Sequence, residues 1–165
     1  MFRTIKDGLR TGLSIGIIFT FLILIGFTSV ATNIIGDVLG NMEGLGDDAR
    51  LPVENLLIFI GLLGLIAGLT FIKKDSEYSW LGTLFGGLTA GLLAGLIVGS
   101  VIYLIGILHM DGVDFRTYLP NLGSTQIRYL LFYSMPLTAS QTYLLYFIIS
   151  SLAGALVRKI TSALT

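Results

Sequence analysis

The chain has 165 residues, its 10 Lys and Arg balance 10 Asp and Glu, and 54% of it is hydrophobic against 12% charged. That is about half the charged fraction of a soluble domain, and with a mean hydropathy of +0.88 it leaves too little polar surface to solvate a globule. The absence of cysteine excludes disulfide frameworks, thiolate metal sites and cysteine nucleophiles, and Lys or Arg never exceed two in a row, so there is no basic patch of nucleic-acid type.

Lipid is therefore the expected partner of most of this surface. A crossing of ~30 Å of hydrocarbon at about 1.5 Å per residue needs about 20 mostly apolar residues. Four such stretches predict an all-α polytopic membrane bundle, a single domain over 1–165, with spans at 11–35, 54–72, 79–108 and 140–158.

The first span follows Arg3, Lys6 and Arg10 and carries Gly8, Gly12 and Gly16 at its start. Its basic head and the small-x-small run Ser29-Val30-Ala31 also fit a cleavable signal peptide. The apolar run from Leu13 to Val30 is longer than the usual apolar region of such a signal, which favours a retained span. The loop after it, Gly36 to Leu51, is acidic and glycine-rich but lacks the ligand spacing of a calcium loop, so a solvated connection is expected.

The second span is dense in Leu, Ile and Phe and holds Gly61, Gly64, Ala67 and Gly68. Tyr78 and Trp80 open the third and are expected to anchor it in the headgroup layer. That span carries the row Gly87, Gly91, Gly95 and Gly99, with a second small row at Gly86, Ala90 and Ala94 beside it. Residues four apart share a helical face, and small faces let helix backbones approach where lipid removes any hydrophobic drive to pair. Gly154, with Ser150, Ser151 and Ala155, gives the fourth span a similar face. Spans one and three share a Gly-Leu-x-x pattern, Gly8 to Gly16 against Gly87 to Gly95, of the kind an internal duplication leaves.

Between spans three and four, His109 to Ser140 is long for a connection. Ser124 or Thr125 is expected to cap a short interfacial or re-entrant helix over 124–134, with Tyr129 and Tyr133 as further headgroup anchors. Pro136 is expected to separate that helix from the fourth span.

Orientation follows from the basic residues of the short loops. Arg3, Lys6, Arg10, Lys73, Lys74, Arg158 and Lys159 fall on one side, and only Arg50, Arg116 and Arg128 on the other. Both termini are expected in the cytoplasm of a cell with a bacterial-type inner membrane.

No Asp, Glu, Lys or Arg falls inside the apolar core of a span, so the ionisable groups that proton- and ion-coupled machines place there are missing. His109 alone makes no metal or haem site and reads as an interfacial polar residue. Ser14, Thr20, Ser100, Ser150 and Ser151 lack a base and are expected to bond backbone carbonyls. No catalytic, cofactor-binding or metal-ligating residue is assigned, and no enzyme activity is expected.

Gly8-Leu9-Arg10-Thr11-Gly12-Leu13 leading to Leu24-Ile25-Gly26-Phe27, the glycine row of span three, and Asp114-Phe115-Arg116-Thr117 with Tyr118-Leu119-Pro120-Asn121 resemble the N-terminal accessory membrane region of bacterial branched-chain amino-acid ABC transporter permeases. The resemblance implies a non-catalytic transmembrane subunit or domain of an importer. The expected function is a small accessory or structural subunit that packs with other membrane subunits, or with copies of itself, through its glycine faces. The alternative is a homo-oligomeric channel or small-solute carrier built around the glycine face of span three.

Overall fold

The computed structural model describes residues 2–39, 53–70 and 79–164, and every regular element among them is helical. Four helices are long and apolar enough to cross a membrane: α1 (Phe2–Leu24), α3 (Val53–Thr70), α4 (Trp80–Met110) and α6 (Pro136–Leu164). Two shorter ones, α2 (Phe27–Leu39) and α5 (Ser124–Leu130), and a 3-10 turn at Phe115–Thr117 complete the fold.

The first predicted span is not one helix. Gly26 adopts φ 75°, the left-handed conformation that ends helices and that glycine takes without a Cβ penalty. Its N–H bonds Ile23 O at 2.9 Å, and the freed carbonyl of Ile25 accepts a 2.9 Å bond from Asn121 Nδ2 in the connection before α5. The chain then turns into α2, which packs on α3 and buries Thr28, Ala31 and Thr32. An unbroken apolar run hides this corner, because side-chain hydropathy carries no record of backbone φ.

Helix ends elsewhere follow local chemistry. Ser79 caps α4, its hydroxyl accepting from Gly82 N at 3.1 Å. At the other end Gly112, at φ 84°, closes α4 with bonds from Gly112 N to His109 O and from Val113 N to Leu108 O, the pairing of a glycine-terminated helix. α5 is shorter than the expected 124–134, and its N-cap is Gly123 rather than Ser124 or Thr125, with no side-chain cap bond. It ends in the same bonding pattern, Phe132 N to Tyr129 O and Tyr133 N to Arg128 O, both at 2.8 Å. Here the left-handed positions are filled by Phe132 and Tyr133, at φ 53° and 55°, which costs about 1–2 kcal/mol per residue. The Phe132 ring stacks on Tyr143 of α6 at 5.1 Å, which holds the corner.

Pro136 is the first residue of α6, not a separator before a span at 140. Proline suits that position because its missing N–H would find no intrahelical partner there and its φ is already helical.

α4 is the central helix. It packs along α1 on one side and α6 on the other, and α3 packs along α6. Matching contacts climb together along α1 and α4 (Gly8 by Gly86, Gly12 by Ala90, Gly16 by Ala94) and run oppositely along α4 and α6 (Gly87 by Ala155, Gly99 by Ser140). α1 and α4 are therefore parallel, α6 opposes them, and the start of α1 shares an end of the bundle with the end of α6. Phe19 of α1 closes the ring of helices, its ring 5.6 Å from Phe59 of α3 and 5.7 Å from Phe147 of α6.

Candidate functional site

The small residues singled out in the sequence lie at helix crossings within the chain. A Cβ on Gly8 would run into Gly86 O and the Thr89 hydroxyl, one on Gly12 into the Ala90 carbonyl, and one on Gly16 would sit 3.2 Å from the Ala94 Cα. The second small row of α4 thus receives α1. The first receives α6: a Cβ on Gly87 would lie 2.7 Å from Ala155 Cβ, on Gly91 2.5 Å from Phe147 O, on Gly95 2.8 Å from Leu144 Cα, and on Gly99 3.0 Å from Ser140 O. On the far side of α6, Gly64 abuts Ser150, Gly68 the Ser151 carbonyl, and Gly154 the Leu65 carbonyl. Ser151 adds a hydroxyl bond across the α4–α6 crossing to Gly87 O at 2.9 Å, so it joins helices instead of bonding its own. Ser14 does bond its own helix, to Arg10 O at 3.0 Å.

The expected headgroup anchors divide. Tyr78 lies outside the described residues. Trp80 is half-exposed at the start of α4, with the Lys159 ammonium 6.0 Å from the ring centroid, within reach of a cation–π contact. Tyr133 is half-exposed. Tyr129 is not an anchor with its hydroxyl in the headgroups: it is buried, and the phenol turns inward to the Thr32 hydroxyl and the Leu56 backbone. A tyrosine with apolar neighbours satisfies either placement, and only the arrival of α2 beside α5 decides it.

Burial denies the Tyr129 phenolate its water and pushes the group up from 10.0 to about 12, the interaction with the Thr32 side chain offsetting part of the effect. The folded value exceeds the unfolded one, so the contribution is complete below pH 10 and is lost as pH rises through about 12. The thermal midpoint is expected to fall over that interval, and to fall less in Tyr129→Phe. Identical alkaline profiles for the two proteins would contradict this placement.

Near the same end of the bundle, several interior polar atoms have no hydrogen-bond partner among the described residues: both amide atoms of Asn55, the Thr20 hydroxyl and the Tyr143 hydroxyl. Reading the sequence singles out neither Asn55 nor Tyr143, although an amide at the head of an apolar run was a visible signal. The Tyr143 hydroxyl is buried without compensation, while its ring is held by Phe132. Tyr143→Phe is expected to leave stability unchanged or to raise it by about 1 kcal/mol, measured by unfolding in mixed micelles. A loss of similar size would mean that the hydroxyl has a partner.

His109 is half-buried between two clefts at the end of α4. One, of about 480 Å³, includes Arg128, Tyr133 and Pro136, and the other, of about 220 Å³, includes Asp114 and Ser124. No group of three or more His, Asp or Glu among the described residues is placed to hold a metal ion. Asn121 ties the connection to α1, and its spacing in the sequence carries no hint of a bond to residue 25.

Comparison with protein-family models, with curated proteins and with solved structures finds no match to this chain.

Proposed function

We propose that this chain is a non-catalytic integral membrane protein, a small accessory or structural subunit that packs in a larger membrane complex of transport type. It resides in a bacterial-type inner membrane with both termini in the cytoplasm. The observation that carries the reading is where the small residues are used. From Gly8 to Gly16 on α1, Gly87 to Gly99 on α4 and Gly64 to Gly68 on α3, they bring helix backbones of one chain into contact. The result is a tightly packed unit whose outer faces, with Ile17, Phe21, Leu92, Leu96, Leu145 and Ile149 exposed, meet lipid or other subunits.

Partner contacts belong to those outer faces, since the glycine rows are already occupied. The same occupancy favours the subunit reading over a channel, because α6 fills the α4 face on which a channel would depend. The excess of Lys and Arg beside the termini supports the orientation, and the likeness to a permease accessory region implies the same kind of role.

The test is purification from native membranes in mild detergent, followed by mass measurement of the intact complex. A stoichiometric membrane subunit is expected to accompany the chain. A lone monomer without partners, or solute flux into liposomes containing only this chain, would overturn the proposal.

A further inference from the structure

We propose that the outer groove between α3 and α6 binds a phospholipid whose headgroup carries a primary ammonium, with an acyl chain along the groove and the ammonium on Glu54. This inference is independent of the subunit reading and requires only that lipid surrounds the bundle.

The groove has a volume of about 630 Å³ and is lined by Glu54, Ile58 and Gly61 on α3 and by Tyr146, Ile149 and Ser150 on α6, a size typical of small-ligand sites. At one edge the two helices touch, Ser150 against Gly64. One turn away on α3, a Cβ on Gly61 would meet nothing within 4 Å. Gly61 therefore differs from the other small residues of α3: it faces space that the described residues leave unfilled.

A polymethylene chain, at about 4 Å of carbon–carbon contact spacing, is slender enough to lie along a groove that closes onto a helix–helix contact. The lining is apolar along Ile58, Gly61 and Ile149, as an acyl chain requires. The Ser150 hydroxyl is already engaged with the Tyr146 carbonyl of its own helix and makes no polar demand on a lipid tail.

The charge selects the headgroup. Among the described residues, Glu54 is the only side chain lining the groove that is charged at neutral pH; it is exposed, and it lies in the first turn of α3, at the end of the apolar run. A carboxylate there attracts a cationic headgroup and repels an anionic one. A primary ammonium also donates charge-assisted hydrogen bonds to it, which a quaternary ammonium cannot. The preference is thus for ethanolamine over choline, and for either over glycerol headgroups.

The experiment is native mass spectrometry of the purified protein with added phosphatidylethanolamine, phosphatidylcholine or phosphatidylglycerol of identical acyl chains. The ethanolamine lipid is expected to be retained about ten-fold better than the others, the value of one hydrogen bond to a charged group. Glu54→Gln is expected to remove that preference while leaving chain binding. Gly61→Leu, which projects into the groove from a position where a Cβ meets nothing among the described residues, is expected to abolish retention. Equal retention of the three lipids by the unaltered protein, or unchanged ethanolamine preference in Glu54→Gln, overturns the proposal. So does a co-purifying protein that Gly61→Leu releases, since the groove would then hold a polypeptide. Should Gly61→Leu fail to fold, the Glu54→Gln result decides alone.

Discussion

Gly91→Leu is expected to abolish the folded bundle, while Gly61→Leu leaves it intact. At Gly91 even a single Cβ would lie 2.5 Å from Phe147 O and 2.7 Å from Ile148 Cα, both backbone atoms of α6. Backbone cannot rotate aside as a flexible side chain can, so the helices must separate. Gly91→Ala alone should cost about 1–3 kcal/mol, the usual range for overpacking, against a total stability of about 5–15 kcal/mol for a typical domain. Leucine adds three more carbons in the same direction and would force α4 off α6 over the turns from Gly87 to Gly99. Gly61 lies in a span of similar composition, but a Cβ there would meet nothing within 4 Å among the described residues, so it controls for the effect of a leucine as such. Unfolding in mixed micelles and size-exclusion profiles read the difference. Equal tolerance of the two substitutions would mean that α4 and α6 do not cross where Gly91 places them.

Gly26→Ala is expected to destabilise the protein by about 2–4 kcal/mol, and the cost should depend on residue 121. Two effects combine. An alanine at φ 75° pays the left-handed strain of about 1–2 kcal/mol, and its Cβ would lie 2.5 Å from Asn121 Cβ. Asn121→Gly removes that second atom, so in this background Gly26→Ala should cost only the strain. Asn121→Ala keeps the Cβ but loses the bond to Ile25 O, and by itself should cost about 0.5–1.5 kcal/mol. A double-mutant cycle over positions 26 and 121 therefore reports whether the corner between α1 and α2 rests on the connection before α5. A cost below about 1 kcal/mol in both backgrounds would instead fit a straight helix through residues 11–35.

These two sites differ in how far they can be read from residue order. The row Gly87, Gly91, Gly95 and Gly99 is visible as a face because its spacing matches the helical turn. What fills the face is not visible: α4 carries two small rows about a quarter-turn apart, and the same spacing suits α1, α6 or another chain. The structure gives one row to α1 and the other to α6, a choice made by three-dimensional fit along whole helices. Gly26 is harder still, since Leu24-Ile25-Gly26-Phe27 reads as uninterrupted apolar sequence and glycine is common inside membrane helices.

Phe132 and Tyr133 show the opposite limit. Neither residue type favours φ near 55°, so no propensity argument finds the corner, and stacking on Tyr143 from a distant helix holds it. Pro136 misleads for a related reason, because proline breaks a helix interior but starts a helix readily, and only the chain before it shows which applies. The four long apolar helices, by contrast, follow directly from the run lengths, which the solvent enforces on every residue of a span.

Sidedness is the most direct test. The chain has no cysteine, so Phe2→Cys, Thr125→Cys and Ser162→Cys each introduce a single thiol at an exposed position. Labelling with a membrane-impermeant maleimide in right-side-out and inverted vesicles should place positions 2 and 162 together on the cytoplasmic side and position 125 across the membrane. Positions 2 and 162 reacting from opposite sides, or all three reacting from one side, would contradict four crossings.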